Sequence, residues 1–320
     1  LGNALFASFK MNVLMYHFVS SPNDSSLFLG VPGVKVEDFE SQASDLIKNG
    51  TALCEEDIRN ASIDKNYPTD ECFYLTFDDG MKQHFNNIYP ILMDYGLQAS
   101  FFIPTMPLES NKVPVVEKQR LLQYNLFNNY QEFLDIFCML ALKISKVKNK
   151  NIFSPNIENI HNSSHYLKEY DFYSNNDRYF RMLRNEYLSE AEFSNIINSM
   201  FANFFNKDKE FINEYYLSID EIKIMSNNGM VIGGHSYSHP FLNKIPLKEM
   251  HKEIDRSTKF LQNSIGRSVD SFSYPYGAFN DNVVAYMSKS KFNYAFTTNL
   301  EGANQRYAIG RNDPASFFKK

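Results

Sequence analysis

The sequence predicts an α/β protein, a parallel barrel-like sheet interrupted by one large helical insertion. Three observations carry this. Short apolar strand-type runs alternate with amphipathic helical runs near both ends of the chain. The alternation vanishes between Leu108 and Leu217, where Asn, Lys, Tyr and Phe dominate. Polar residues able to bind metal follow directly on the strand-type runs. Repeated strand–helix alternation favours a closed barrel over an open sheet, although periodicity alone does not separate the two.

The elements follow in order. Asn12–Tyr16 is a short apolar strand. Val36–Lys48 carries Phe39, Ala43, Leu46 and Ile47 at helical spacing, with Gly50 as its stop. Cys72–Phe77 (CFYLTF) is a buried-type strand, followed by a helix over Asn86–Tyr95 that ends at Gly96. Ala99–Ile103 is the third strand, closed by Pro104 and Pro107. Within the insertion, Tyr130–Val147 and Ser189–Phe205 read as helices, the second with Ser189 as N-cap and Glu192 at N3. The Asn- and Lys-rich stretch Val147–Ser164 reads as loop. Then come a helix over Ile219–Asn228, a strand at Met230–Gly234, a helix over Leu247–Gln262, a strand at Val269–Ser273, a helix over Asn282–Ser290, a strand at Tyr294–Thr297 and a seventh at Tyr307–Gly310. The organisation is therefore 11–107 as the first part of the barrel, 108–217 as insertion and 218–320 as the second part. An independent domain is the alternative reading of the insertion.

Composition excludes several function classes. With 320 residues, 43% of them hydrophobic and 22% charged, the chain can bury a sizeable core and is not disordered. A net charge of -5 gives no general attraction to phosphate backbones, so no nucleic-acid partner is expected. No apolar run reaches the roughly eighteen residues of a spanning helix. Cys54, Cys72 and Cys138 form no CxxC spacing, so neither a disulfide framework nor a thiolate zinc site is indicated. Cytoplasmic residence is the expectation, with the reservation that a removed signal peptide leaves no trace. Residues 1–10 lack a basic leading region and read as an upstream segment.

The chemistry collects after the strands. Asp78 and Asp79 end the second strand in TFDDG; adjacent carboxylates point in different directions, so one can bind a cation while its neighbour accepts a proton. On its own, DDG reads as a surface turn; the apolar strand before it and the histidines downstream favour a site. HSYSHP supplies His235 and His239, whose i, i+4 spacing puts two imidazoles on one side of a helical turn. With a carboxylate from another strand end they make a three-ligand set with open positions, the catalytic rather than the structural type of metal site. SYPYG (Ser273–Gly277) follows the fifth strand.

TFDDG, HSYSHP and SYPYG, in this order, resemble the first three motifs of the polysaccharide deacetylases, the NodB-homology or carbohydrate esterase family 4 group. The resemblance implies a distorted (β/α)7 barrel and metal-dependent removal of acetyl from an N-acetylated sugar or glycan. It assigns Asp79, His235 and His239 to the metal, zinc by default with cobalt, nickel or ferrous iron acceptable to the same donors. Asp78 becomes the general base, and the backbone N–H of Tyr276 an oxyanion donor.

Two positions depart from the family pattern. Its third motif usually begins with an arginine that orients the base, where this chain has Ser273; Arg311, in GRND, is the candidate replacement, though a lone arginine also reads as a surface residue. Its late motif normally supplies a histidine acid, yet none follows His251. His17, in MYH after the first strand, is the candidate proton donor and resembles the early YH motif of the poly-N-acetylglucosamine deacetylases. His84, His161, His165 and His251 read as structural or exposed. The aromatic run Tyr166, Tyr170, Phe172, Tyr173, Tyr179 and Phe180 fits the insertion's own core better than a sugar platform, and the insertion is a candidate lid or homo-oligomer surface. Rival readings are an O-acetyl esterase on the same fold, a catalytically silent carbohydrate-binding protein, and a zinc amidohydrolase acting on something other than sugar.

Overall fold

In the computed structural model, residues 11–24, 33–64, 70–127, 129–168, 170, 173–203, 208–298 and 305–318 are described. Residues 1–10, Phe172 and the end of the helix expected over Ser189–Phe205 lie outside them. Contacts divide the chain into two units, one from the segments up to Lys112 and from Phe211 onward, the other chiefly Val113–Glu210.

The first unit is built on a parallel sheet. Its strands are β1 (Met11–Tyr16), β4 (Thr51–Ala52), β5 (Cys72–Phe77), β6 (Ala99–Ile103), β7 (Val231–Gly234), β8 (Ser271–Ser273) and β9 (Tyr294–Phe296); β2 (Val19–Ser20) and β3 (Val34–Lys35) pair separately. The ladder runs β1-β5-β6-β7-β8-β9, with β4 on the first two residues of β5. Helices Val36–Asn49, Tyr89–Asp94, Ile219–Asn227, Leu247–Ile265 and Asp281–Lys289 fall between strands, as the sequence periodicity requires. Helix Glu55–Asp64 and the π-turn His84–Ile88 were not legible in it.

Side-chain alternation explains the unbroken apolar strands. Phe73, Leu75 and Phe77 of β5 pack with Phe39, Ala43, Leu46 and Leu92 from helices, whereas Cys72 and Tyr74 pack with Val13, Phe102, Tyr294 and Phe296 from other strands. A strand buried on both faces has no polar face to show. Phe102 of β6 meets Phe296 of β9 with ring centroids 5.5 Å apart although two strands separate them in the ladder, so the sheet curls on itself. Period two then carries the inner row Cys72, Tyr74, Thr76 on to Asp78.

The seventh strand expected at Tyr307–Gly310 is corrected to a pair of bridges. Ile309 pairs with Phe296 of β9, and Asn312 with Leu14 of β1. The segment crosses from one edge strand to the other instead of running along either, and so links the two ends of the curled sheet.

Gly233 of β7 is fixed by the curl. A Cβ there would lie 2.3 Å from Phe102 Cε1 and 2.9 Å from Ser271 Oγ, both buried. Gly233→Ala is expected to destabilise the protein by about 1–3 kcal/mol, the usual cost of overpacking, read as a lower urea midpoint at unchanged m-value.

The second unit is helical, with Val115–Leu121, Tyr130–Ile144, Ile157–Asn162, Asn175–Met182 and Glu190–Phe201 as its α-helices among the described residues. Phe133, Phe137, Phe180 and Phe193 form its aromatic centre, with Phe137 and Phe180 centroids 4.9 Å apart. Tyr179 and Phe180 are therefore core, while Tyr166 and Tyr173 are only half-buried. The loop expected over Val147–Ser164 holds a 3₁₀ turn at Lys150–Phe153 and the helix Ile157–Asn162. The asparagines that suggested loop are N-caps: Asn149 and Asn156 accept from the backbone N–H of Asn151 and Asn159. Ser189 and Glu192 form the expected capping box. No helix among the described residues is long and apolar enough to cross a membrane.

Candidate active site

The site lies in the first unit, just past the strand ends. At the end of β5 the Asp78 N–H donates to the Tyr16 carbonyl at 3.0 Å, extending the β1–β5 ladder by one residue. The chain then turns through two left-handed residues, Asp79 (φ 76°) and Gly80 (φ 64°). Gly80 adopts this conformation without strain; Asp79 does so at a cost, the kind of strain that collects at functional sites. Both carboxylates are buried.

After β7, His235 and His239 are brought together, but not by a helical turn. Ser236 (φ 62°) and His239 (φ 61°) are left-handed, and Ser236 Oγ accepts the His239 N–H at 3.0 Å. The expected helical geometry is thus replaced by a tight loop. Glu253 braces it by accepting both the N–H and the hydroxyl of Ser238 at 2.7 Å. Burial raises the Glu253 pKa although these donors oppose the rise.

Three donor atoms converge. Asp79 Oδ1 is 3.4 Å from His235 Nε2 and 3.3 Å from His239 Nε2, and the two Nε2 atoms are 3.1 Å apart. The edge of a tetrahedron around zinc with bonds of about 2.0–2.1 Å is about 3.3 Å, so the triangle fits one face of such a site. His235 also has the tautomer that a metal ligand needs. Its Nδ1 lies 2.7 Å from the Ser273 carbonyl, which only accepts, so Nδ1 carries a proton and Nε2 is the atom that would bind a metal ion. Among the described residues this is the one cluster of His, Cys, Asp or Glu that could hold a metal ion.

Asp78 stands next to this triangle in a different environment. Arg311 Nη1 and Nη2 donate to its two oxygens at 2.8 and 2.6 Å, and Ser273 Oγ donates to Oδ2 at 3.0 Å. Arg311 is fully buried: its Nε donates to the Thr297 carbonyl, and Nη1 also reaches Thr76 Oγ1. Burial pushes the Asp78 pKa up, but the Arg311 guanidinium, His235, the Arg311 hydrogen bonds and His17 outweigh it and hold the carboxyl at about 2. Asp78 is a carboxylate at any physiological pH. Its charge and its hydrogen bonds are committed to one orientation.

The remaining sequence-derived residues fall as follows. His17 follows β1 and lies half-buried beside Asp78, since Tyr16 pairs with Phe77. Tyr276 is left-handed (φ 58°) in the turn Pro275–Gly277, its ring edge-on to His239 at 4.6 Å and stacked on Phe241 at 4.1 Å. His251 stacks on Tyr286 at 4.0 Å, away from the cluster. Sequence reasoning missed the shared role of Ser273, whose hydroxyl bridges Arg311 and Asp78 while its carbonyl orients His235. His84, read as structural or exposed, is buried with Nε2 2.8 Å from the His17 carbonyl, a partner the sequence did not suggest. Neither has a local signal, because each partner lies far away along the chain.

Comparison with known proteins agrees with fold and motifs. The polysaccharide deacetylase family profile matches residues 65–121 and 198–295. Over those two stretches the chain is similar to the polysaccharide deacetylases. YxkH of Bacillus subtilis (strain 168), which carries the name of a polysaccharide deacetylase, is 35% identical over 96 residues, 29% of this chain and 32% of that protein; the chain thus matches about a third of the length of that relative. Among solved structures, the deacetylase PplD of Streptococcus pyogenes, in complex with acetate, matches over 97% of both chains at 17% identity and a TM-score of 0.53. IcaB from Ammonifex degensii matches over 97% of this chain and 94% of its own at 14% identity and 0.55. The de-N-acetylase from Aggregatibacter actinomycetemcomitans covers 94% of this chain and 93% of its own at 15% identity and 0.50. At these identities the structural matches establish the fold.

Proposed function

We propose that the chain is a metal-dependent deacetylase that removes acetyl from an N-acetylated sugar or glycan. The observation that carries this is the Asp79–His235–His239 triangle with an ionised, clamped carboxylate, Asp78, beside it. The family supports deacetylation, and a neighbour of the same fold bearing the name de-N-acetylase supports the amide as the bond attacked.

Asp79, His235 and His239 would hold a divalent ion, zinc by default, with cobalt, nickel or ferrous iron suited to the same donors. Such an ion supplies an acidified water, with pKa lowered from about 15.7 to about 7, and a Lewis acid for the acetyl carbonyl. Asp78 takes the water's proton as it attacks, its oxygens aimed by Arg311 and Ser273. The backbone N–H of Tyr276 donates to the oxygen of the tetrahedral intermediate. His17 delivers a proton to the departing nitrogen, since an amine anion is a very poor leaving group.

Arg311, bonded to Asp78 and to Ser273, thereby takes the orienting role of the arginine that usually begins the family's third motif. Acetate release from N-acetylhexosamine oligomers should be abolished by chelator and restored by added zinc. Release that persists in chelator at full rate would refute the reading. An O-acetyl esterase would instead cleave an O-acetylated glycan and spare the N-acetyl one.

A further inference from the structure

Resting on the reading of His17 as proton donor, we propose that His84 is its positioning residue: a buried N–H donor that fixes the backbone carrying the acid. His17 is the first residue beyond β1, and the carbonyl before it, that of Tyr16, is taken by Asp78. The next carbonyl, that of His17 itself, faces His84 Nε2 at 2.8 Å. A carbonyl only accepts, so Nε2 carries the proton and the tautomer is set.

The imidazole is held in turn. It is fully buried, with ring centroids 5.5 Å from Phe77 and 5.7 Å from Phe101. Burial pulls its pKa down to about 4, so the ring is neutral and uncharged in the apolar surroundings that hold it. Among the described residues its Nδ1 has no hydrogen-bond partner, and the bond to His17 is the ring's one polar attachment.

His84 does not act alone on this loop. It opens the π-turn His84–Ile88, a widened turn of the type often met at functional sites. Asn87 of the same turn donates to the Val19 carbonyl at 2.9 Å and to Asp24 at 3.1 Å, and Gln83 donates to Asp24 at 2.6 Å. Three nearby side chains therefore grip the segment that follows β1 at both ends. The local sequence QHFNN reads as an ordinary helix start, yet Gln83, His84 and Asn87 reach back to the loop bearing His17. A half-buried acid at a strand end needs such support if its ring is to meet the leaving nitrogen at hydrogen-bond distance.

The test compares two substrates that differ in their need for a proton. An N-acetylhexosamine oligomer has a poor leaving group; 4-nitrophenyl acetate leaves without protonation. His84→Phe removes the donor and keeps a ring of similar size; His84→Gln restores an N–H near the Nε2 position. We expect His84→Phe to lower kcat on the oligomer about tenfold to a hundredfold, the usual loss for an outer hydrogen-bond partner, with KM, metal content and ester hydrolysis within about twofold of the parent. His84→Gln should recover most of the loss. If the phenylalanine variant does not fold, His84→Leu carries the same comparison.

Equal losses on both substrates, or no loss on the oligomer, overturn the inference. His17→Ala separates it from the reading beneath it. Selective oligomer loss in His17→Ala without any in His84→Phe overturns the positioning role alone; no selective loss in His17→Ala overturns the proton-donor reading and the inference with it.

Discussion

Asp78→Asn and Asp79→Asn, one residue apart, are expected to fail in different ways. Asparagine at 78 keeps the shape and can still accept from Arg311, but it takes no proton, so kcat should fall by about a hundredfold to ten thousandfold while metal content stays near that of the parent. Asparagine at 79 removes the one anionic donor of the triangle, whose oxygen lies 3.3–3.4 Å from the two imidazole nitrogens. That variant should lose metal first and activity as a consequence, and excess zinc should recover part of it. The readouts are metal content after dialysis and acetate release with and without added zinc. Equal metal loss in both variants would contradict the division of roles.

Arg311→Met should be the most destabilising substitution in the site. Asp78 and Arg311 are both almost wholly buried, so solvent does not screen them, and the pair is bidentate at 2.8 and 2.6 Å. Removing one partner leaves an uncompensated buried charge, which typically costs about 3–5 kcal/mol. The methionine variant should therefore show a much lower urea midpoint. The double variant Asp78→Asn/Arg311→Met should recover a large part of that loss, because a neutral amide tolerates burial better than a lone carboxylate, yet stay inactive. Additive losses would mean that the two side chains are not coupled in solution.

Much of this was legible along the chain, and the illegible parts share one cause. The strands of the ladder could be read because burial on both faces demands continuous apolar runs, and CFYLTF is one. Asp78, Asp79, His235 and His239 could be singled out because each follows such a run directly. The local path between the histidines could not: i, i+4 spacing suggested a helical turn, whereas left-handed Ser236 and His239 bring the rings together by another route. Arg311, taken alone, read more readily as a surface residue, because its partners are 233 and 38 positions away. The segment Tyr307–Gly310 read as a strand since its apolar residues are buried like one, but the chain there forms isolated bridges, Ile309 with Phe296 of β9 and then Asn312 with Leu14 of β1. Contacts made across such distances leave no periodicity to read.

The most direct measurement is anomalous scattering from crystals grown with zinc. The account predicts one ion per chain within about 2.0–2.2 Å of Asp79 Oδ1, His235 Nε2 and His239 Nε2, with Asp78 close by but still paired to Arg311 and not bound to the metal. An ion held by Asp78 in place of Asp79, or zinc absent from the triangle when the crystal binds it elsewhere, would contradict it.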